Sequence, residues 1–212
     1  MRLYLKLSIF LFKEFTNLNF VRICKFILQG KKMKVAVMFA NGFEEIEAIS
    51  IIDILRRAEI DAINVGLEKK LVLGAHKVEL KTDIVLDDLV VDEFDMIVLP
   101  GGLQGAQNLA QSQKLGEILR KFDDKNKKIA AICAAPWALA TSGVLKDEYA
   151  CYPGFEKTIA KDGYMANLKI SKCKNIITAN GPATAIEFAL TLVGELLGKE
   201  KQDSIAKDLL FA

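Results

Sequence analysis

Apolar and polar residues alternate in blocks along the chain, so that short apolar runs are separated by longer segments of helical periodicity. Five apolar runs are typical of buried strands, at residues 35–39, 61–66, 96–99, 128–132 and 176–178. Helical spacing of apolar residues covers residues 44–58, 109–122, 134–142 and 183–197. Residues 71–80 predict a hairpin broken at Gly74 and Ala75, and residues 149–152 predict one more short strand.

This alternation of strands and helices predicts an α/β fold with a mostly parallel central sheet and helices on both faces. In sheets of this kind, ligands bind at the carboxyl ends of the strands. The residues that directly follow the predicted strands are therefore the first candidates for function.

Length and charge divide the chain into a domain and an N-terminal segment. Residues 33–212 form the predicted domain, and with 51% hydrophobic residues the chain can fill a sizeable core. Residues 1–32 hold seven of the 29 basic residues but one of the 27 acidic ones, which leaves the domain with a net charge near −4. A mildly acidic domain without a basic stripe does not indicate nucleic-acid binding.

Three interpretations of residues 1–32 stay open. Charges at positions 6, 13, 14, 22 and 25 interrupt the apolar residues, which argues against a membrane-spanning helix. The mixture of aromatic and basic residues suits an interfacial or partner-binding helix, and the basic start suits a targeting signal, although no small-residue cleavage site follows. The plainest interpretation is an extension outside the fold, with Met33 as the natural start.

A cysteine directly follows the predicted strand at 128–132. Cys133 lies between the strand at 128–132 and the predicted helix at 134–142, in which Pro136 occupies the first turn. A side chain at this elbow points at the unpaired N–H groups of the helix start, and their positive charge favours thiolate over thiol. The sequence therefore predicts a reactive cysteine with a lowered pKa.

Three glutamates crowd the start of the helix after the first strand. Glu44 and Glu45 are explained as surface charges that stabilise the helix dipole. Glu47 falls one turn into an otherwise apolar helix, where it either serves as a further helix-start charge or points back over the edge of the sheet. A carboxyl buried there would have a raised pKa and could exchange a proton with a nearby thiol.

Two glycine turns follow other strands. Gly101 and Gly102 permit a tight turn that brings backbone N–H groups close to a ligand, and with the N–H of Ala134 they would form an oxyanion hole. Gly181 and Pro182 form a rigid turn before the last predicted helix. Either turn could equally be an ordinary structural turn.

The residue inventory excludes several chemistries. His76 is the only histidine and lies in the hairpin segment, so a Cys-His protease or amidotransferase is not expected unless the hairpin folds over the pocket. No zinc-ligand spacing is present, and the carboxylates after the first strand disfavour a bound nucleotide phosphate, so neither a metal nor a cofactor is expected. The four cysteines fit a reducing cytoplasm better than a disulfide scaffold.

The four motifs FANGFEEIEAI, VLPGGLQGAQNL, AAICAAPWAL and ANGPATAIEFAL, in this order, closely resemble the ThiJ/PfpI superfamily. The resemblance covers residues 33 to about 210 and is strongest to the branch that contains the parkinsonism-associated protein deglycase and its bacterial relatives. It implies a flavodoxin-like α/β sandwich of three layers and a homodimer.

The resemblance also implies roles for single residues. Cys133 corresponds to the family's reactive cysteine, Glu47 to its protonated glutamate partner, and Gly102 and Ala134 to its oxyanion hole. The substrate pocket then consists of further residues from the loops around Cys133. These are Gly101, Leu103, Tyr152, Pro153, Gly181 and Pro182.

Two function classes follow from this resemblance. The first is a glyoxalase or deglycase without a cofactor, acting on methylglyoxal, glyoxal or their early adducts and protecting against carbonyl stress. The second is a redox sensor or chaperone-like protein in which Cys133 is reversibly oxidised. The sequence does not separate the two.

One position departs from the family pattern. Several members have a histidine before a proline in the loop that faces the cysteine, whereas this chain has Tyr152 before Pro153. A mechanism with imidazole as base is therefore in doubt, which leaves proton transfer to Glu47 or water. Cys151, the residue before Tyr152, is either a small buried hydrophobe or a resolving thiol for oxidised Cys133.

Overall fold

The structure is a computed structural model that describes residues 32–211, and the interpretations of the N-terminal segment lie outside these residues. Nine strands are described: β1 (Lys34–Phe39), β2 (Asp61–Gly66), β3 (Leu71–Leu73), β4 (Glu79–Lys81), β5 (Ile84–Val85), β6 (Met96–Leu99), β7 (Lys128–Ile132), β8 (Ile170–Cys173) and β9 (Ile176–Ala179). The described α-helices are α1 (Glu45–Arg57), α2 (Leu103–Gln111), α3 (Gln113–Asp124), α4 (Pro136–Thr141), α5 (Glu156–Ile159), α6 (Ala185–Leu197) and α7 (Lys199–Asp208).

Seven strands form one sheet in the order β5-β2-β1-β6-β7-β9-β8, and β3 pairs with β4 in a separate hairpin. All neighbours in the large sheet run parallel except β8, which is antiparallel to β9. The chain leaves β1 toward β2 on one side and later continues from β6 to β7 on the other. The direction of winding therefore reverses beside β1, where open sheets of this kind form their ligand crevice.

Each central strand supplies side chains to a core on both faces of the sheet. In β1, Val35, Val37 and Phe39 belong to one apolar cluster, and Ala36 and Met38 belong to the other. Helices α1 and α6 pack on the first face, and α3 and α4 on the second. The fold is therefore the three-layer, flavodoxin-like α/β sandwich that the sequence predicts.

Several predicted elements differ from the observed ones. No strand forms at residues 149–152, where an isolated bridge joins Tyr149 to Tyr164. The helix predicted at 109–122 is two helices, because Ser112 ends α2 and its hydroxyl accepts a hydrogen bond from the Leu115 N–H at the start of α3. Strands β5 and β8 and helices α5 and α7 are not predicted by the sequence pattern. None of the helices within residues 32–211 has the length and apolar character needed to cross a bilayer.

Candidate active site

Cys133 occupies a sharp turn between β7 and α4. Its φ is +63°, a left-handed conformation that non-glycine residues seldom adopt, so the surrounding bonds must hold it there. Its N–H donates to the Ala179 carbonyl at 2.9 Å, and its carbonyl accepts the Tyr152 N–H at 2.8 Å. The residue is 8% exposed, so the thiol lies just below the surface at the carboxyl edge of the sheet.

Glu47 reaches this thiol from helix α1. The residue is fully buried, and its Oε2 accepts the Gly101 N–H at 2.7 Å. A side-chain hydrogen bond joins its carboxyl to Cys133, and Oε1 is buried without a hydrogen-bond partner among the described residues. The structure therefore brings Glu47 and Cys133 together at the edge of the sheet rather than leaving Glu47 as a surface charge.

Burial governs the ionisation of Glu47. Loss of solvation raises the pKa of this carboxyl to about 7 against an ordinary 4.5. The Gly101 N–H and the Cys133 thiol act in the opposite direction, and the negative charge of Glu44 raises the pKa further. Near neutral pH the carboxyl thus exchanges its proton readily, as a general acid or base must.

The prediction of a lowered thiol pKa is wrong. Burial first, and then the negative charge of Glu47, raise the pKa of Cys133 well above its ordinary range. The N–H groups of Gly102 and Ala134 lower it, as expected, but more weakly. Helix α4 has only six residues and begins at Pro136, so its N-terminus lies beyond the elbow. The two groups titrate as a coupled pair, in which the thiol holds its proton more tightly than the carboxyl.

The Gly101–Gly102 turn fits between the two reactive groups. A Cβ on Gly101 would lie 2.7 Å from the Cys133 Cβ and 2.8 Å from Glu47 Oε2, so only glycine fits. Gly102 has φ +91° at the start of α2, and its N–H faces the sulfur together with the Ala134 N–H. Because the Glu44 N–H donates to the Gly101 carbonyl at 3.0 Å, the loops after β1 and β6 are fastened to each other.

The other predicted pocket residues lie in the loops next to Cys133 and the Gly101–Gly102 turn. Leu103 directly follows Gly102 and is 69% exposed. Tyr152 is 48% exposed, and its side chain lies against Gly181. A Cβ on Gly181 would come within 3.3 Å of the tyrosine ring. Pro153 is exposed and Pro182 is partly buried at the first position of a short 3-10 helix.

Cys151 and Cys133 belong to apolar clusters on opposite faces of the sheet. Cys151 is fully buried in the apolar cluster on the second face of the sheet, whereas Cys133 belongs to the cluster on the first face. Burial raises the pKa of the Cys151 thiol to about 12. This environment suits a small buried hydrophobe, and a disulfide with Cys133 stays a prediction.

The β3-β4 hairpin does fold onto the start of α1, which the sequence could not show. The Gly42 N–H donates to the Leu73 carbonyl at 2.7 Å. His76 contacts Glu45, with 2.8 Å between Nδ1 and Oε2, and this hydrogen bond raises the pKa of the imidazole. The exposed ring therefore pairs with a neighbouring glutamate, and no hydrogen bond joins it to Cys133.

One cluster within residues 32–211 has the composition of a metal site. Glu44, Glu45 and His76 offer ligand atoms that lie within 4.8 Å of one another. Both oxygens of Glu45 already accept hydrogen bonds, Oε1 from the His76 and Val78 N–H groups and Oε2 at the His76 ring. These bonds explain the cluster as the attachment of the hairpin to α1.

Comparisons with known proteins agree with this fold. The model of the DJ-1/PfpI family matches residues 33–195. Protein dj-1beta of Drosophila melanogaster is 40% identical over 179 residues, which cover 83% of this chain and 96% of that protein. The crystal structure of Drosophila melanogaster DJ-1beta gives a TM-score of 0.83 at 38% identity and covers 86% of this chain and 100% of that one.

One relative, from Caenorhabditis elegans, is named after an enzymatic activity. The protein named glutathione-independent glyoxalase DJR-1.2 is 34% identical over 188 residues, covering 87% of this chain and 100% of that protein. The chain belongs to the DJ-1/PfpI family, which confirms the resemblance drawn from the four motifs.

Proposed function

We propose that this protein is a glyoxalase or deglycase that uses Cys133 and Glu47 and no cofactor, with 2-oxoaldehydes such as methylglyoxal and their early adducts as substrates. The observation that carries the proposal is the buried contact between a thiol and a carboxyl with a pKa of about 7. The name of the Caenorhabditis elegans relative supports the same chemistry.

The first step forms a bond between sulfur and the aldehyde carbon. The Glu47 carboxylate takes the thiol proton as Sγ attacks, so that thiolate forms only as it is used. The aldehyde oxygen becomes an oxyanion, which accepts hydrogen bonds from the N–H groups of Gly102 and Ala134. Protonation of this oxygen by Glu47 gives a neutral hemithioacetal.

The second step moves hydrogen within the substrate. Glu47 removes the proton from the former aldehyde carbon and returns it to the neighbouring ketone carbon through an enediol. The first carbon is thereby oxidised to a thioester and the second is reduced to an alcohol, so no external oxidant or reductant takes part. Water then hydrolyses the thioester, which releases the 2-hydroxy acid and restores the Cys133 thiol.

A lactate assay with methylglyoxal tests this proposal. Wild type is expected to form lactate, and Cys133→Ser is expected to lose at least a thousandfold in kcat/KM, because a neutral hydroxyl is a far weaker nucleophile. Cys173→Ser is the matched control, since Cys173 lies in β8 away from the site, and it should keep the wild-type rate. A Cys133→Ser protein that keeps its rate would exclude the proposed mechanism.

A second candidate function is a peroxide sensor, and the unpartnered Glu47 Oε1 favours it. Two molecules of hydrogen peroxide would convert the Cys133 thiol to a sulfinic acid with release of two waters. A protonated Glu47 could then donate a hydrogen bond to a sulfinate oxygen, and the N–H groups of Gly102 and Ala134 could donate to it as well.

Intact-mass spectrometry after mild peroxide treatment tests this second function. Wild type should gain two oxygens at Cys133, and Glu47→Ala should accumulate less of that product than wild type. If the two proteins show the same oxidation profile, the carboxyl has no part in stabilising the sulfinate.

A further inference from the structure

The candidate active site is bordered by two large side chains that are largely exposed. Leu103 and Tyr152 are 69% and 48% exposed, although they adjoin the buried residues Cys133 and Glu47. Burying apolar surface is favourable, so exposed side chains of this size beside a reaction centre offer binding energy to a substrate.

Backbone bonds hold both residues close to the reacting sulfur. Tyr152 donates its N–H to the Cys133 carbonyl, and its ring rests on Gly181. Leu103 begins α2 directly after Gly102, whose N–H faces the sulfur. Neither residue can move away without moving part of the oxyanion hole or the cysteine elbow.

The residue types of the predicted pocket disfavour a charged substituent. The six residues predicted for the pocket carry no charge. The negative charge of Glu44 raises the pKa of Glu47, and the same charge would repel an anion at the site. A substrate with a carboxylate or phosphate substituent would therefore be repelled by Glu44.

We infer that the site prefers uncharged 2-oxoaldehydes with an aromatic or branched alkyl substituent, and that Leu103 and Tyr152 determine this preference. The inference rests on the proposed function and narrows its substrate class. The substituent would lie against the Leu103 side chain and the Tyr152 ring while the aldehyde reaches Cys133. A single apolar contact of this kind changes kcat/KM by about tenfold or more.

Steady-state kinetics with glyoxal and phenylglyoxal test the inference. Wild type should show a kcat/KM for phenylglyoxal at least tenfold above that for glyoxal, mainly through a lower KM. Leu103→Asn and Tyr152→Ser should each lower this ratio by about tenfold. Tyr152→Phe should keep the preference, because it retains the ring and loses only the hydroxyl.

Leu197→Asn is the matched control, since Leu197 is an exposed leucine at the end of α6, and it should keep the wild-type ratio. Thermal unfolding of each variant confirms that the exposed substitutions leave the fold intact. A wild type that converts neither aldehyde overturns the proposed function and the inference together. The inference alone is overturned by either of two results. In the first, wild type converts glyoxal but shows no preference for phenylglyoxal; in the second, the preference for phenylglyoxal survives in Leu103→Asn and Tyr152→Ser.

Discussion

At the scale of single residues, the position of one proton decides the chemistry of the site. The sequence predicts a thiolate at Cys133 because of a nearby helix start. In the folded protein, burial instead raises the pKa values of both Cys133 and Glu47. The Glu47 carboxyl therefore ionises at a lower pH than the Cys133 thiol. Glu47 then acts as the base that removes the thiol proton during attack.

The raised pKa of Glu47 also predicts a change in stability with pH. The folded value of about 7 lies above the ordinary 4.5, so the folded state binds the proton more tightly than the unfolded state. The resulting stabilisation of the folded state is complete below pH 4.5 and is lost as the pH rises through 7. Its size is about 3 kcal/mol, because each unit of pKa difference corresponds to about 1.4 kcal/mol.

Urea denaturation of wild type and Glu47→Gln between pH 4.5 and 8 measures this effect. The free energy of unfolding of wild type should fall relative to that of Glu47→Gln as the pH rises, because the amide does not titrate. Parallel curves for the two proteins would show that Glu47 has an ordinary pKa and is not buried as described.

At the scale of elements, the loop between β6 and α2 determines how closely Cys133 and Glu47 approach each other. Ala at position 101 would place a methyl group against both side chains. We expect Gly101→Ala to lower the free energy of unfolding by about 1–3 kcal/mol and to reduce activity at least a hundredfold.

Gly116→Ala is the matched control for this glycine. Gly116 lies inside α3, and the atoms nearest to a new Cβ would be 3.5 Å away or more, so the variant should gain up to about 1 kcal/mol of stability from helix propensity. Urea denaturation and the lactate assay measure both variants. A Gly101→Ala protein as active as Gly116→Ala would contradict the described packing of the site.

The sequence predicted most elements because their patterns are local. The bounds of β2, β6 and β7 agree with the apolar runs at 61–66, 96–99 and 128–132. No strand forms at 149–152, because fully buried residues such as Cys151 occur in packed loops as well as in strands. The contact between Glu47 and Cys133 was suggested by helix position, but its burial, and hence the pKa values, depends on loops distant in sequence.

At the scale of the whole molecule, the exposed apolar side chains predict the face of a homodimer. Ile46 and Ile49 are exposed on α1, and Leu71, Leu73 and Val78 are exposed on the adjoining hairpin segment. Large contiguous apolar surfaces are typical of protein interfaces. The homodimer implied by the family resemblance would bury these residues.

Sedimentation velocity tests this interface. Wild type should sediment as a dimer and Ile46→Lys as a folded monomer, because Ile46 is 59% exposed in the single chain and its loss should not affect folding. Val90→Lys, which changes an exposed valine outside this face, should remain dimeric. A monomeric wild type, or a dimeric Ile46→Lys, would exclude this interface.

The pH dependence of kcat/KM for methylglyoxal tests the role of Glu47 most directly. Wild-type activity should fall tenfold per unit below about pH 7 and level off above it, following the ionisation of the carboxyl. Glu47→Gln should be at least a hundredfold slower and should lack this step. An unchanged step in Glu47→Gln would show that another group is the base and would contradict the mechanism.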